Sequence, residues 1–507
     1  MTAENNPKNL VIGLDSSTTS TKALAIDKHG RIEAYTKAAL DLHSPQPGYY
    51  EQNADDWWHA AQTVLRVVTQ KINPAHIAAL AISNQRETFV PLAENGQPLR
   101  DAIVWLDERC KSEVEPFSEL VGKEKIHNIS GKPVDFAPVV YRLAWMKKHE
   151  PHLFKQIAKV CDVHTYLTWK LTDAFATSWA SADPLGMFAI ENKEWSADIL
   201  FALGMQVNQF PQTLQPGSII GTVSEMAAEQ TGLLSGTPII AGGGDGQAAG
   251  LGSNVLTPDR AYLNLGTAVV AGVYGHKPEI SKAFRTMCAC SEDGYYYECS
   301  LRAGTFAIDW FIKNILKIEP ATNPDIYNQL EIEARQTPIG SSGLLFLPYL
   351  NGVMNPYWNG NATGAFIGLM SSHQRGHMYR AILEGIAFEQ TFVLQEVEQH
   401  TGGSIQELVV IGGGSANRFW CQMMADITGK RILIPQETEA SALGVAISAA
   451  VGAGWYENTK VAAREMTAVK ETIAPNGQAF ERYLQFYLAY AKVYPALAPV
   501  NSILAGT

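Results

Sequence analysis

The chain of 507 residues has no run of about 18 consecutive apolar residues, the length a helix needs to span a bilayer. Its nearest approach, from Ala440 to Trp455, is rich in Ala and Gly and is broken by Ser441 and Ser448, which reads as a tightly packed helix. Cations are in deficit, with 39 Lys and Arg against 50 Asp and Glu and a net charge of −11. That balance argues against nucleic acid as the main partner, because a phosphate backbone is gripped by clustered cations. A small phosphorylated ligand needs only a few local donors and is not excluded. The six cysteines (110, 161, 288, 290, 299, 421) lack zinc-site spacing, so reduced, partly buried thiols are expected. The first ten residues carry no charged-then-apolar leader pattern, and a cytoplasmic location is the expectation. No G-x-x-x-x-G-K-[ST] occurs, so phosphate is not held by a Walker loop.

What is present is a regular alternation of strand-like and helix-like segments, which makes the class α/β. The length calls for two or more domains, since single cores rarely exceed roughly 250–300 residues. Leu10 to Leu14 reads as a buried strand ending at Asp15, and the hydroxyl-rich turn 16–21 leads into a second strand, Lys22 to Ile26. Asp27-Lys28-His29-Gly30 turns the chain into a third strand at Arg31 to Tyr35. Asp55 is placed to cap a helix whose apolar positions Trp57, Ala61, Val64, Leu65 and Val68 keep a period near 3.6. Ile77 to Ile82 is a strand followed by Asn84-Gln85-Arg86-Glu87-Thr88, and Ala102 to Trp105 is another. Arg86 and Glu87 read either as a polar clamp for a polyol or as a surface ion pair. Trp105 reads as a sugar-stacking ring or as core.

Near the midpoint, Ile239-Ile240-Ala241 runs into Gly242-Gly243-Gly244, then Asp245, then small residues that start a helix. Such a turn lets a ligand approach the backbone, and its lone acid can take a proton from a bound hydroxyl. The alternative is a tight turn with Asp245 as helix N-cap. The opening pattern then returns: Tyr262 to Leu265, the turn Gly266-Thr267, Val269 to Tyr274, and a strand at Tyr295 to Cys299. Strand, hydroxyl-bearing turn, strand near the start of each half points to a duplicated architecture. A long helix from His377 to His400 ends at Gly402-Gly403. Leu408 to Ile411 then feeds Gly412-Gly413-Gly414-Ser415, a flat seat for a ring or a phosphate, before a helix opened by Asn417.

With these residues in view, the chain resembles the FGGY carbohydrate kinases of the sugar kinase, Hsp70 and actin superfamily. Gly364 to Leu369, then His377-Met378 and Ala381-Ile382-Leu383-Glu384, meet the family's second signature. In the first signature Leu143, Trp145, Met146 and His149 fit, while Arg142 stands where lysine is usual and Ala137 and Val139 replace typical residues. The resemblance implies a two-lobed, ribonuclease H-like fold of duplicated domains with a cleft between them. Residues 8–253 would bind the sugar and carry the base, and residues 254–500 would bind the nucleotide.

It further implies an ATP- and Mg²⁺-dependent kinase acting on a small sugar or polyol, with no nucleic acid or membrane partner and a homodimer left open. Asp15 would hold Mg²⁺ through water, and Thr18, Thr19 and Lys22 would line the phosphate side. Asp245 would be the catalytic base, with Arg86, Glu87, Trp105 and Gln247 beside it at the acceptor. Gly266 and Thr267 would contact the ATP phosphates, Gly304 would lie near the nucleotide, and Gly413, Gly414 and Asn417 would hold adenosine. For the acceptor, Asn84 to Thr88 and Pro356-Tyr357-Trp358 resemble glycerol kinases. Trp57-Trp58, Trp105-x-Asp107-x-Arg109, Gly242 to Asp245 and Phe346 to Leu350 resemble xylulokinases. Because the tyrosine that glycerol kinases set against glycerol aligns with Ala137, the resemblance leans to phosphorylation of D-xylulose to D-xylulose 5-phosphate. Glycerol kinase and other polyol or ketose kinases remain the alternatives within the family.

Two readings lie outside the family. Gly244-x-Gly246-x-x-Ala249 imitates a dinucleotide fingerprint, but it falls mid-chain, and Asp259 is a poor fit to the acid expected about 20 residues on. A nucleotide-driven switch without a sugar substrate is disfavoured by the Arg86-Glu87 clamp and the lack of an appended peptide-binding segment.

Overall fold

The structure, a computed structural model, describes residues 8–504. Leu10–Ser16 is buried along its whole length, as a near-continuous apolar strand covered on both faces must be. It pairs antiparallel with Ser20–Asp27, which pairs antiparallel with Ile32–Ala39. On its other side it lies parallel to Ile77–Asn84, which lies parallel to Pro238–Gly244, and Ile219–Thr222 closes that edge. The second half repeats the order. Arg260–Leu265, Val269–Gly275 and Tyr295–Leu301 form the antiparallel part, and Glu407–Ile411 and Arg431–Pro435 extend it in parallel. Arg285–Cys288 and Val469–Ile473 add the two edges. The strand, turn, strand recurrence is therefore a duplicated sheet.

Alternation along the first strand decides what each face covers. Ile12 and Leu14 pack with Trp57, Val64, Leu65 and Val68 of the helix Ala54–Lys71. Val11 points the other way, into a core shared by both halves that includes Ile240, Tyr262, Tyr296, Leu433 and Ala446. The helices Asp245–Gly252 and Ala440–Gly452 run through this shared core. A Cβ on Gly444 would stand 1.8 Å from the Ala248 carbonyl oxygen, and one on Gly252 2.0 Å from that of Ala440. Only glycine allows backbones this close. The Ala- and Gly-rich stretch is thus a packed helix between the halves. Among the described residues no helix is long and apolar enough to cross a membrane.

Three local expectations are corrected. The cap of the first helix is Asn53, whose side chain accepts from the Asp55 amide at 2.9 Å. Asp55 instead sits in the first turn, where its charge complements the helix dipole. The strand expected to reach Trp105 stops at Ile103, because the Val104 carbonyl turns to accept from the Asp107 amide at 2.9 Å. The thiols are more than partly buried: all six cysteines are free and buried, and burial pushes Cys288 and Cys290 up to about 12.

Candidate active site

Parallel strands end on the same side of their sheet, and a crevice opens beyond their carboxyl ends. In the first sheet Asp15 faces Ser83, and Asn84 faces both Ser16 and Gly244. Asp15, the segment 84–88 and Asp245 are therefore brought to one place by register alone. Asp15 is 5% exposed and accepts a hydrogen bond from Ser83 Oγ at 2.8 Å. Burial raises its pKa, and Lys22, opposite it in the adjacent strand, opposes that rise. Lys22 reaches across to the other half and ion-pairs with Glu439. Burial works against the Lys22 ammonium, but Glu439 and Asp15 more than offset it, and its pKa is raised. Thr18 and Thr19 follow in a tight turn where Ser17 N donates to the Ser20 carbonyl at 2.9 Å, and Thr19 is exposed.

Arg86 and Glu87 do not pair with each other, and neither lies on the open surface. Arg86 places Nε 3.2 Å from Asp245 Oδ1 and Nη1 2.7 Å from Glu298 Oε2. Glu87 Oε1 lies 2.9 Å from Nη1 of Arg285, which also ion-pairs with Glu298. Charges thus alternate in a chain from Asp245 through Arg86, Glu298 and Arg285 to Glu87, crossing between the halves twice. Burial alone would raise the Glu298 carboxyl, but Arg86 and Arg285 pull it down to about 2. Gln247, 1% exposed, donates to the Ala180 carbonyl at 2.9 Å and accepts from Arg86 at 3.5 Å, so it braces Arg86.

Asp245 is the first helical residue and Gly244 holds the cap position, so the N-cap alternative falls away. Its Oδ1 accepts from the Gly246 amide at 2.7 Å. Burial pushes the carboxyl up to about 6, against the pull of Arg86 and with repulsion from Asp15 and Glu87. The side chain is still 38% exposed, so water offsets part of that desolvation. A carboxylate held in this way can accept a proton from a hydroxyl placed beside it.

Trp105 is 38% exposed rather than core, and its indole N–H donates to Thr18 Oγ1 at 2.9 Å. Arg142 is wholly buried and donates to the carbonyls of Glu87, Trp105 and Ala137 at 3.0, 2.7 and 2.8 Å. The backbones of Glu87, Trp105 and the small, half-buried Ala137 therefore converge on one guanidinium.

In the second half the equivalent strand ends converge as well. Gly304 N donates to the Thr267 carbonyl at 2.8 Å, and Thr305 N to that of Gly266 at 2.9 Å. Gly412, with φ 79°, would bring a Cβ to 2.3 Å from Asn264 Oδ1. A Cβ on Gly414 would meet that of Leu265 at 2.6 Å, while Gly413 faces open space. Asn417 caps the helix Arg418–Thr428 through the Trp420 amide at 2.9 Å. Gly266, Thr267, Gly304, Gly413, Gly414 and Asn417 thus form a glycine-lined ledge on which Thr267 and Gly413 are exposed, while Gly304 and Gly414 are buried beneath them. A cavity of about 410 Å³ lined by His29, Arg31 and Glu437 lies at the opposite end of the first sheet and takes no part.

Sequence reasoning missed Glu298, Arg285 and Glu439. The available signal for Glu298 was a single acid in a strand of tyrosine and cysteine, Tyr295-Tyr296-Tyr297-Glu298-Cys299. Nothing in the local sequence distinguishes Arg285 or Glu439.

Comparison with known proteins agrees with this architecture. The N-terminal domain of the FGGY family of carbohydrate kinases matches residues 10–252, and the C-terminal domain matches residues 261–453. The chain is 28% identical to the xylulose kinase of Bacillus subtilis (strain 168) over 503 residues, covering 97% of this chain and 98% of that one. It is 25% identical to the ligand-bound xylulose kinase of Lactobacillus acidophilus, with a TM-score of 0.91 and coverage of 98% and 99%. A gluconate kinase structure from the same organism gives the same identity, TM-score and coverage.

Proposed function

The chain belongs to the FGGY family of carbohydrate kinases, phosphotransferases with an alcohol group as acceptor, and we propose that its acceptor is D-xylulose, converted to D-xylulose 5-phosphate. The observation that carries this choice is the convergence of Glu87, Trp105 and Ala137 on Arg142, which we read as one wall of the acceptor site. A methyl group there leaves room for a five-carbon ketose, whereas a large ring would confine the site to a shorter polyol. Xylulose kinases among the relatives support the same reading, and the gluconate kinases among them make gluconate the acceptor to test against it.

In this reading residues 8–253 bind the sugar and residues 254–500 the nucleotide. The acceptor hydroxyl lies against Asp245, with Arg86 fixing that carboxylate and Trp105 covering the sugar face. The ledge of Gly266, Thr267, Gly304, Gly413, Gly414 and Asn417 seats ATP, whose phosphates extend toward Thr18, Thr19 and Lys22. Among the described residues no cluster of three His, Cys, Asp or Glu side chains is fit to cage a metal. Mg²⁺ bound through water and substrate phosphates needs no such cage. Asp15, with one hydrogen bond from Ser83, retains lone pairs for a hydrated ion, which when bound would neutralise phosphate charge. Transfer rests on in-line positioning and charge neutralisation. As the hydroxyl oxygen attacks the γ-phosphorus and the bond to ADP breaks, Asp245 takes the hydroxyl proton.

A panel of D-xylulose, L-xylulose, ribulose, glycerol, erythritol and gluconate, followed by ADP release, tests the choice. D-xylulose is expected to give the highest kcat/KM, and a large margin for glycerol or gluconate would overturn it. Ala137→Tyr should shift preference toward shorter acceptors.

The pH profile is a second expected result. A base works only when ionised, and burial holds Asp245 above the ordinary carboxylate range, at about 6. Activity is therefore complete above that pH and is lost as pH falls through it. kcat/KM, which reports the free enzyme, should fall about tenfold per pH unit on the acid side. A profile flat down to pH ~4, near the reference value for an aspartate, would contradict it.

A further inference from the structure

We infer that Arg142 is a positioning residue for acceptor selection: its buried guanidinium fixes the spacing of the three chain segments that wall the acceptor. This rests on the reading of Glu87, Trp105 and Ala137 as that wall. The three residues come from separate places in the chain. Glu87 follows the strand Ile77–Asn84, Trp105 follows Ala102–Ile103, and Ala137 precedes the helix Val139–His149, which carries Arg142. A single strand pairing, Phe89 with Ile103, lies close to the first two, but among the described residues no strand pairing or helix ties all three together.

Arg142 does so. Nη1 donates to the carbonyls of Glu87 and Ala137 at 3.0 and 2.8 Å, and Nη2 to those of Trp105 and Asp107 at 2.7 and 3.4 Å. The partners are backbone carbonyls, not a carboxylate, and Nε has no partner. A cation kept in a core without a counter-ion works against stability, so its presence points to what those carbonyls need. They need a rigid, planar set of donors, which a guanidinium supplies and an ammonium does not. Glu87 also has a left-handed backbone, φ 50°, and a fixed donor on its carbonyl holds that conformation. From this one residue the fork reaches further. Glu87 leads to Arg285 of the other half, and Trp105 leads through its indole to Thr18.

The fork therefore sets the distance between the ring of Trp105, the carboxylate of Glu87 and the methyl of Ala137, and with it the length of acceptor that fits. Two further links join the Glu87 and Trp105 segments: the Thr88 hydroxyl accepts from the Trp105 amide at 3.1 Å, and Phe89 pairs with Ile103 across antiparallel strands.

The test is steady-state kinetics of the full-length Arg142→Lys variant with D-xylulose, erythritol, glycerol and gluconate, varying acceptor and ATP in turn. Lysine keeps the buried charge and loses the fork. Expected is an acceptor KM raised by about tenfold or more, the worth of about one hydrogen bond to a charged group, with the ATP KM within about twofold. The preference in kcat/KM between five- and three-carbon acceptors should also shrink by about tenfold. KM does not depend on how much of the sample is folded, so the split is readable from a partly active preparation. Thr88→Val, nearly isosteric and buried, should move acceptor KM in the same direction should the lysine variant not accumulate. Unchanged acceptor KM and unchanged preference in these variants, beside an active wild-type enzyme, would overturn the inference alone. A wild-type enzyme that phosphorylates no member of the panel would overturn the reading beneath it too.

Discussion

Asp245→Asn is expected to lose about 10²–10⁴-fold in kcat, the range a positioned general base contributes. The amide has the carboxylate's shape and keeps an oxygen for the Gly246 N–H, so the turn from Gly244 into the helix is undisturbed. Arg86 is not left without a counter-ion, because Glu298 holds its Nη1. The ledge proposed to seat ATP lies in the other half of the chain, so nucleotide affinity should stay within about twofold, isolating the chemical step. Turnover of the variant with its best acceptor and binding of a non-hydrolysed ATP analogue are the two measurements. Wild-type turnover in the variant would remove Asp245 from the mechanism. Loss of nucleotide binding in step with turnover would show that the substitution acted on structure.

Glu298→Ala should be the most destabilising single change at the site, at about 3–5 kcal/mol, the cost of breaking a buried ion pair from one side. The physical reason is the order of charges. Glu298 stands between Arg86 and Arg285, and its side chain has no solvent exposure. Removing it sets two guanidinium groups facing each other in the shared core, each left with one carboxylate, Asp245 or Glu87. It also removes the acceptor for the Tyr262 hydroxyl, 3.2 Å away. Urea denaturation of the variant should show a lower midpoint, with Glu115→Ala as control. Glu115 pairs with Lys123 on the surface, where such pairs contribute only about 0–1 kcal/mol. Equal shifts for the two variants would mean that the cross-half chain of charges contributes no more than a surface pair. The same substitution frees Arg86 from one of its two carboxylate partners, so residual activity should fall as well.

Both expectations concern the same few side chains, yet they were visible to very different degrees. Asp245 was legible as a strand-to-helix junction, because three glycines separate an apolar run from a row of small residues, although the strand continues through Gly244 before the helix starts. Asp15 and the glycines at 412–414 are of the same kind: each ends a buried strand, and strand ends are marked by local composition. Trp105 was harder, since a lone tryptophan after a short strand carries no sign of whether water reaches it. Arg86 and Glu87 were noticed as neighbours and taken as a pair. They sit in a bend where Glu87 has a left-handed backbone, and their side chains part: Arg86 reaches Asp245 and, in the other half, Glu298, while Glu87 reaches Arg285.

The alternation of buried strands and amphipathic helices, the repeat of strand, turn and strand, and the family signatures set the class, the duplication and the carboxyl-end residues. These features are written in spacings of a few residues, and the backbone's fixed periods convert them directly into faces and turns. Only the tertiary structure decided that Arg86 serves Asp245 and Glu298 together, that Glu87 belongs to Arg285, that Lys22 meets Glu439, and that Arg142 binds carbonyls from separate segments. Apart from that of Arg142 with Ala137, those contacts join residues tens to hundreds of positions apart, and no local period encodes them. They exist because two sheets of the same order close on one shared core, where a buried charge must find a partner from whichever half lies nearest.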